Sequence, residues 1–308
     1  MNLKKPKFWD YNKPNIYAYL LYPFTFLIKF LYILKSKTKN KDRKIKTICV
    51  GNIYVGGTGK TSLCIKIKKI LDREKIKSCF IKKYYKNQID EQKILKEYGK
   101  VFISHKREDA IQQAEKENFE VAILDDGLQD KSIDCNLSFV CFNNINWIGN
   151  GMTIPSGPLR ESITNIKEYN HVFLNGNQEN EETLINELLK INSNLIIHIG
   201  QYKPINLNNF KKNQKYLVFS GIGNHKTFVS MIKKYGLEIL RDIEFADHYT
   251  YTKKDIDLIL SEADDLKCEV VTTEKDFLRL ENFDTNKIKY IKSELQITDE
   301  NKLIKYII

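Results

Sequence analysis

With 308 residues, 42% of them hydrophobic and 29% charged, the chain is long enough for two α/β cores and too apolar to remain disordered. A net charge of +11 admits three kinds of partner: nucleic acid, an anionic membrane or a phosphorylated substrate. Cys49, Cys64, Cys79, Cys135, Cys141 and Cys268 lack CxxC spacing, and the five histidines lack metal-ligand spacing. A disulfide framework and a zinc site are thereby excluded, and the cysteines read as reduced core residues.

Taken in chain order, the first feature is residues 16–34, an apolar and aromatic run interrupted by Pro23, Thr25 and Lys29. Lysines flank it on both sides, Lys4, Lys5 and Lys7 before it and seven basic residues from Lys35 to Lys46 after it. Its length would just span a bilayer, but Pro23 interrupts the hydrogen-bond ladder and Lys29 sits within it. The favoured expectation is a bent segment lying in an anionic membrane surface, with a true span and a soluble core helix left open. There is no small-residue cleavage site, so a signal peptide is not expected. Residues 1–45 are assigned to this membrane-associated helix and its basic linker.

A strand-like run at 46–50 then leads into Val55-Gly56-Gly57-Thr58-Gly59-Lys60-Thr61, followed by a helical pattern over 62–71. Glycines let the backbone approach a phosphate, Lys60 reaches the β- and γ-phosphates, and the Thr61 hydroxyl can ligate Mg2+. ATP and Mg2+ are the expected cofactors. Tyr54 stands where the usual spacing wants the first glycine, so the loop is a variant Walker A. A chance Gly-rich turn is the alternative, and the strand before and helix after argue against it.

Further strands are predicted at 78–82, 100–103, 121–124, 137–142, 172–174 and 195–199, with helices between several of them. This alternation is the signature of a doubly wound parallel sheet, here a P-loop domain over 46–205. The run at 121–124 ends in Asp125-Asp126-Gly127, which reads as a Walker B site on a strand neighbouring the P-loop strand, or alone as a solvated turn. Beyond a polar stretch at 206–213 a second series begins. Strands are expected at 215–220, 237–243, 269–272 and 288–291, with helices at 225–234, 253–264 and 274–280. A smaller α/β domain over 206–308 is expected, with the active site in the cleft between the two domains.

Six stretches occur in an order that resembles one family over nearly the whole chain. They are Gly51-Asn52-Ile53 with the P-loop, Leu124-Asp125-Asp126-Gly127-Leu128-Gln129, Pro155-Ser156-Gly157-Pro158-Leu159-Arg160-Glu161, Phe219-Ser220-Gly221-Ile222-Gly223-Asn224, Asp247-His248, and Thr272-Thr273-Glu274-Lys275-Asp276. With the apolar N-terminus, they resemble the tetraacyldisaccharide 4′-kinases, the lipid A 4′-kinases. The resemblance implies Mg2+-dependent transfer of the ATP γ-phosphate to the 4′-hydroxyl of an acylated disaccharide 1-phosphate, giving lipid IVA at the cytoplasmic face of the inner membrane.

It also implies residue roles: Lys60 and Thr61 on the phosphates and Mg2+, Asp125 and Asp126 as Walker B carboxylates, and Gln129 supporting them. Asp90 would act with His248 as the base for the sugar hydroxyl, beside Glu91. Arg107 and Arg160 match family arginines near the substrate or phosphates. Read by themselves, Asp90-Glu91 is a helix N-terminal acidic pair, Asp247-His248 a turn, and both arginines surface residues. The chain departs from the family in the abbreviated segment 81–87, where a longer Arg-Gly-Tyr loop is usual, in Asp130 where His is usual, and in Tyr54. The alternative function is a membrane-associated P-loop ATPase or GTPase switch. No nucleic-acid partner is expected, because the charge is spread as lysines among acids without a binding motif, and no obligate protein partner is evident.

Overall fold

The computed structural model describes residues 5–33, 43–85, 89–176 and 180–308. Leu34 and most of the basic linker, together with 86–88 and 177–179, lie outside the described residues. The chain divides into two compact units, Lys5–Gly200 with Ile297–Ile308, and Gln201–Gln296.

In the larger unit, helix α1 (Ile16–Ile33) runs through Pro23 without a break in the helical assignment. Strand β1 (Lys46–Gly51) and helix α2 (Lys60–Arg73) bracket the P-loop. There follow β2 (Ser78–Lys83), α3 (Ile89–Tyr98), β3 (Val101–Ser104), α4 (Arg107–Lys116), β4 (Val121–Asp125), β5 (Leu137–Asn143), β6 (His171–Asn175), α5 (Glu181–Ile191) and β7 (Ile196–Pro204). Strand β12 (Ser293–Ile297) crosses from the smaller unit into the larger at its last residue, and α9 (Glu300–Ile307) belongs to the larger. The eight-stranded sheet has the order β12-β7-β6-β5-β1-β4-β2-β3. The pairs β1 with β4 and β5, β2 with β3 and β4, and β6 with β5 and β7 are all parallel.

Strand β1 is central because both of its faces are apolar, with Ile48, Cys49 and Val50 buried between covering helices. Ala110, Ile111 and Ala114 of α4 pack over β1, β2 and β4 in one core, and Leu184 and Leu188 of α5 pack over β5 and β6 in another. The P-loop therefore emerges at the carboxyl end of the middle strand, flanked by β4 and β5, where open α/β sheets present ligand sites.

The smaller unit holds a second parallel sheet, β11-β10-β8-β9, built from β8 (Lys215–Ser220), β9 (Glu238–Glu244), β10 (Glu269–Thr273) and β11 (Ile288–Ile291). Alternation along β8 sends Tyr216 and Val218 into a core with α6 (His225–Lys234) and Leu217 and Phe219 into a core with α7 (Lys253–Asp265). Its fixed point is Asp276 in α8 (Glu274–Arg279), a fully buried carboxylate. It accepts from the Gly221 N–H (3.0 Å), the Tyr251 hydroxyl (2.9 Å), the Thr273 hydroxyl (2.6 Å) and Arg279 (2.8 Å). Removing one member of a buried ionic network leaves the rest uncompensated. Asp276→Ala should therefore destabilise this unit by about 3 kcal/mol or more, read as a lower urea midpoint for its unfolding.

Candidate functional site

The P-loop is shaped by backbone that only glycine adopts readily. Gly56 (φ 125°) and Gly59 (φ 81°) take positive φ, and Gly59 leads into α2 without a side-chain cap. The first N–H groups of α2 are thus left for an anion. Buried amides fix the rest of the loop. Asn52 donates to the Gly56 carbonyl (3.2 Å) and the Thr58 hydroxyl (2.9 Å), and Asn175, at the end of β6, donates to the Thr58 carbonyl.

Tyr54, the residue in place of the expected glycine, lies outside this cradle. It is buried and bridges to Leu159, so that the loop before Arg160 adds two hydrogen bonds, Val55 N–H to the Pro158 carbonyl (2.9 Å) and Arg160 N–H to the Ile53 carbonyl (2.6 Å). Its hydroxyl donates to Asp10 Oδ1 (2.7 Å) and accepts from Lys5 Nζ (2.8 Å). Burial, then the bond to Asp10, pushes the Tyr54 hydroxyl well above its ordinary pKa. Trp9 Nε1 donates to the Pro155 carbonyl (3.1 Å), and Asn150 N–H donates to the Trp9 carbonyl (2.9 Å). Residues 5–10 are thereby strapped to the P-loop and to the loop carrying Arg160.

At the end of β4 the chain turns through Asp126 at φ 59°, and the two neighbouring carboxylates meet different partners. Asp125 is buried; its Oδ2 accepts from Lys82 Nζ (2.6 Å) and from the Thr61 hydroxyl (3.3 Å), while its buried Oδ1 has no protein partner. Asp126 Oδ1 accepts from Arg160 Nη1 (2.8 Å) and lies 3.7 Å from Lys60 Nζ. The same Arg160 nitrogen donates to Gln129 Oε1 (2.9 Å), and Gln129 Nε2 donates to the Asn52 carbonyl and to Glu161 (both 2.9 Å). Burial opposes the charge on Asp126, but Lys60, Arg160 and Lys82 outweigh it and hold the pKa at about 2.

The structure thus brings together Lys60, Thr61, Asp125, Asp126, Gln129 and Arg160. Arg107 is placed differently from a ligand-facing arginine: it is buried and donates to Asp130 (3.0 Å) and to the Asp126 carbonyl (2.6 Å), holding the Walker B turn. Asp130, the departure from the usual His, is that arginine's partner. Glu91 is paired with Lys82. Asp90 lies in the first turn of α3, with its side chain outside the described residues. His248, in the smaller unit, has φ 55°; its N–H donates to the Gly221 carbonyl (3.0 Å), and its Nδ1 lies 3.4 Å from an Arg279 guanidinium nitrogen.

Two contributors were not foreseen, Lys82 and Asn175. The sequence signal at Lys82 was its place as the charged end of an otherwise apolar strand run; its register partner on the neighbouring strand, Asp125, is supplied by the fold. Burial disfavours its charge, yet Asp125 and Glu91 together raise its pKa. As for a metal, no cluster of three or more His, Cys, Asp or Glu side chains occurs among the described residues. A hard cation held mainly by water and phosphate needs fewer ligands, and the Thr61 hydroxyl with the partnerless Asp125 Oδ1 is a suitable oxygen pair.

A mostly parallel sheet with a Walker A loop on its central strand and two carboxylates at the end of the adjacent strand defines a P-loop nucleotide-binding enzyme. The sequence profile of the tetraacyldisaccharide-1-P 4′-kinases matches residues 17–98 and 90–308, and the chain belongs to that family. A tetraacyldisaccharide 4′-kinase from Pelagibacter ubique (strain HTCC1062) is 57% identical over 99% of this chain and 98% of its own length. One from Rickettsia canadensis (strain McKiel) is 32% identical over 98% and 96%. Among solved structures, an "apo" form LpxK from Aquifex aeolicus in complex with ATP superposes with a TM-score of 0.67, covering 94% of this chain and 98% of that one at 22% identity. The family read from the six motifs is therefore borne out, as is the P-loop α/β fold class.

A depressed carboxylate pKa stabilises the fold above its unfolded value, near 3.9, and that stabilisation disappears as pH falls through the folded value of about 2. Asp126→Asn should lower stability at pH 7 by about 2 kcal/mol, from a shift of nearly two units. The gap from the unsubstituted protein should close below pH 4 in urea titrations across pH.

Proposed function

We propose that the protein transfers the γ-phosphate of ATP to the 4′-hydroxyl of a tetraacyldisaccharide 1-phosphate, giving lipid IVA. The observation that carries this reading is the convergence of Lys60, Arg160 and Asp126 beside the P-loop in a member of this family. Transfer of a phosphoryl group asks the protein for positioning and neutralisation of charge more than for covalent chemistry. The 4′-oxygen bonds to the γ-phosphorus as the bond to the bridging oxygen breaks, the hydroxyl proton passes to Asp90 acting with His248, and ADP leaves. Lys60 and Arg160 neutralise the phosphoryl oxygens, and Asp126 keeps both cations in place until they meet the phosphates. Thr61 and Asp125 would hold Mg2+, which when bound offsets charge on the β- and γ-phosphates.

The acceptor's acyl chains keep it in a bilayer, and α1 supplies the matching surface. Ile16, Tyr17, Tyr19, Leu20, Tyr22, Phe24, Phe26, Leu27 and Ile28 are all exposed on it. No helix among the described residues is long and apolar enough to cross a membrane, and the reading adopted is attachment to the cytoplasmic face of the inner membrane through this helix. The anionic membrane surface is the second partner, met by the flanking lysines.

Phosphate transfer from γ-labelled ATP to tetraacyldisaccharide 1-phosphate in detergent micelles tests the activity. Lys60→Ala should lower it at least 100-fold with the fold intact. Near-normal transfer would exclude Lys60 as a phosphate ligand, and ATP hydrolysis without labelled lipid would overturn the acceptor. Leu20→Ser, Phe24→Ser and Leu27→Ser combined remove three exposed apolar groups. Each is worth about 1.5–3 kcal/mol when buried, so binding to anionic phospholipid vesicles should weaken at least tenfold in a sedimentation assay. Unchanged binding would place the membrane contact elsewhere.

A further inference from the structure

Lys82 is 2% exposed, and an ammonium so far from water is tolerated only where carboxylates surround it. Its two partners come from different elements. Asp125 belongs to β4, aligned with Lys82 by the parallel β2–β4 register, and Glu91 belongs to the first turn of α3. The Asp125 oxygen that holds Lys82 also accepts from Thr61, and the other oxygen has no protein partner. One carboxylate is thus shared between the phosphate end of the site and, through Lys82, helix α3. Asp90 is the residue immediately before Glu91 in that turn.

We propose that Lys82 is a positioning residue that ties the first turn of α3 to the Walker B carboxylate Asp125, so that loading of the nucleotide site sets the turn carrying Asp90. The catalytic part rests on the reading of Asp90 as base. Lys82 acts through the two acids it joins. A lysine serves here because its single ammonium meets two carboxylates at once, which methionine of similar length cannot do.

The test compares the unsubstituted protein with Lys82→Met and Lys82→Arg in the full chain. Steady-state kinetics should show ATP KM within threefold for Lys82→Met and kcat lowered at least 30-fold, with Lys82→Arg recovering part of the loss. Amide hydrogen exchange, read with Mg2+ and a non-hydrolysable ATP analogue, reports the tie without turnover. In the unsubstituted protein the amides of both α2 and α3 should gain protection on loading; in Lys82→Met only those of α2 should. A folded Lys82→Met protein with ordinary kcat, or with α3 protected on loading as before, overturns the proposal. If Lys82→Met does not fold, Lys82→Gln and Lys82→Arg carry the same two measurements. Asp90→Asn is run alongside: near-normal turnover there would dismiss Asp90 as base, while the exchange of α3 would still decide the role of Lys82.

Discussion

The site depends on how two consecutive carboxylates at the end of β4 are divided between separate sets of cations. The backbone at Asp126 is left-handed, and the turn that leaves β4 there sets the second carboxylate beside Lys60 and Arg160. Asp125 turns into the sheet, toward Lys82 and Thr61, while Asp126 meets Lys60 and Arg160. Arg107 stabilises the turn between them by holding the Asp126 carbonyl. Four cations around the loop, Lys60, Lys82, Arg107 and Arg160, are matched by four acids, Asp125, Asp126, Glu91 and Asp130. Asp126 sits between Lys60 and Arg160, while Asp125 meets Lys82.

Much of this was legible in the sequence because it rests on local rules. Strand β1 could be read from a short apolar run, the loop from its glycines and α2 from its periodicity, and the smaller unit's elements fall within a residue or two of their expected bounds. Its parallel sheet and the parallel strand pairs of the larger one follow from the alternation of strand and helix. The residues that escaped are those whose meaning lies in non-local pairing. Lys82 looks like the charged end of an apolar strand until the register sets it against Asp125, and Asn175 looks like a solvated loop residue until β6 delivers it to the Thr58 carbonyl. Strand β12 and helix α9 are short and near the end of the chain, and α9 is fixed by Leu303 and Ile307 and by the pairing of Glu300 with Lys66.

The departures from the family pattern have physical counterparts. Asp130 serves as the acid for a buried guanidinium, so its charge is part of how the Walker B turn is held. Tyr54 replaces backbone freedom with a buried ring and a hydroxyl that reaches the chain's first described turn. In both cases a residue that looks anomalous in a motif is accounted for by a partner far away in sequence.

The strap from Tyr54 to residues 5–10 also complicates how a lipid-free form of this protein would be interpreted. Residues 5–10 and α1 are one continuous stretch of chain, so trimming the apolar helix from the N-terminus also strips Lys5, Trp9 and Asp10 from the flank of the phosphate loop. A shortened protein that turned over slowly would combine lost access to lipid with a loosened nucleotide loop, and its rate alone would not separate the two. Polar replacements confined to the outer face of α1 would leave the strap fastened, and slow turnover in that background would report on the lipid alone.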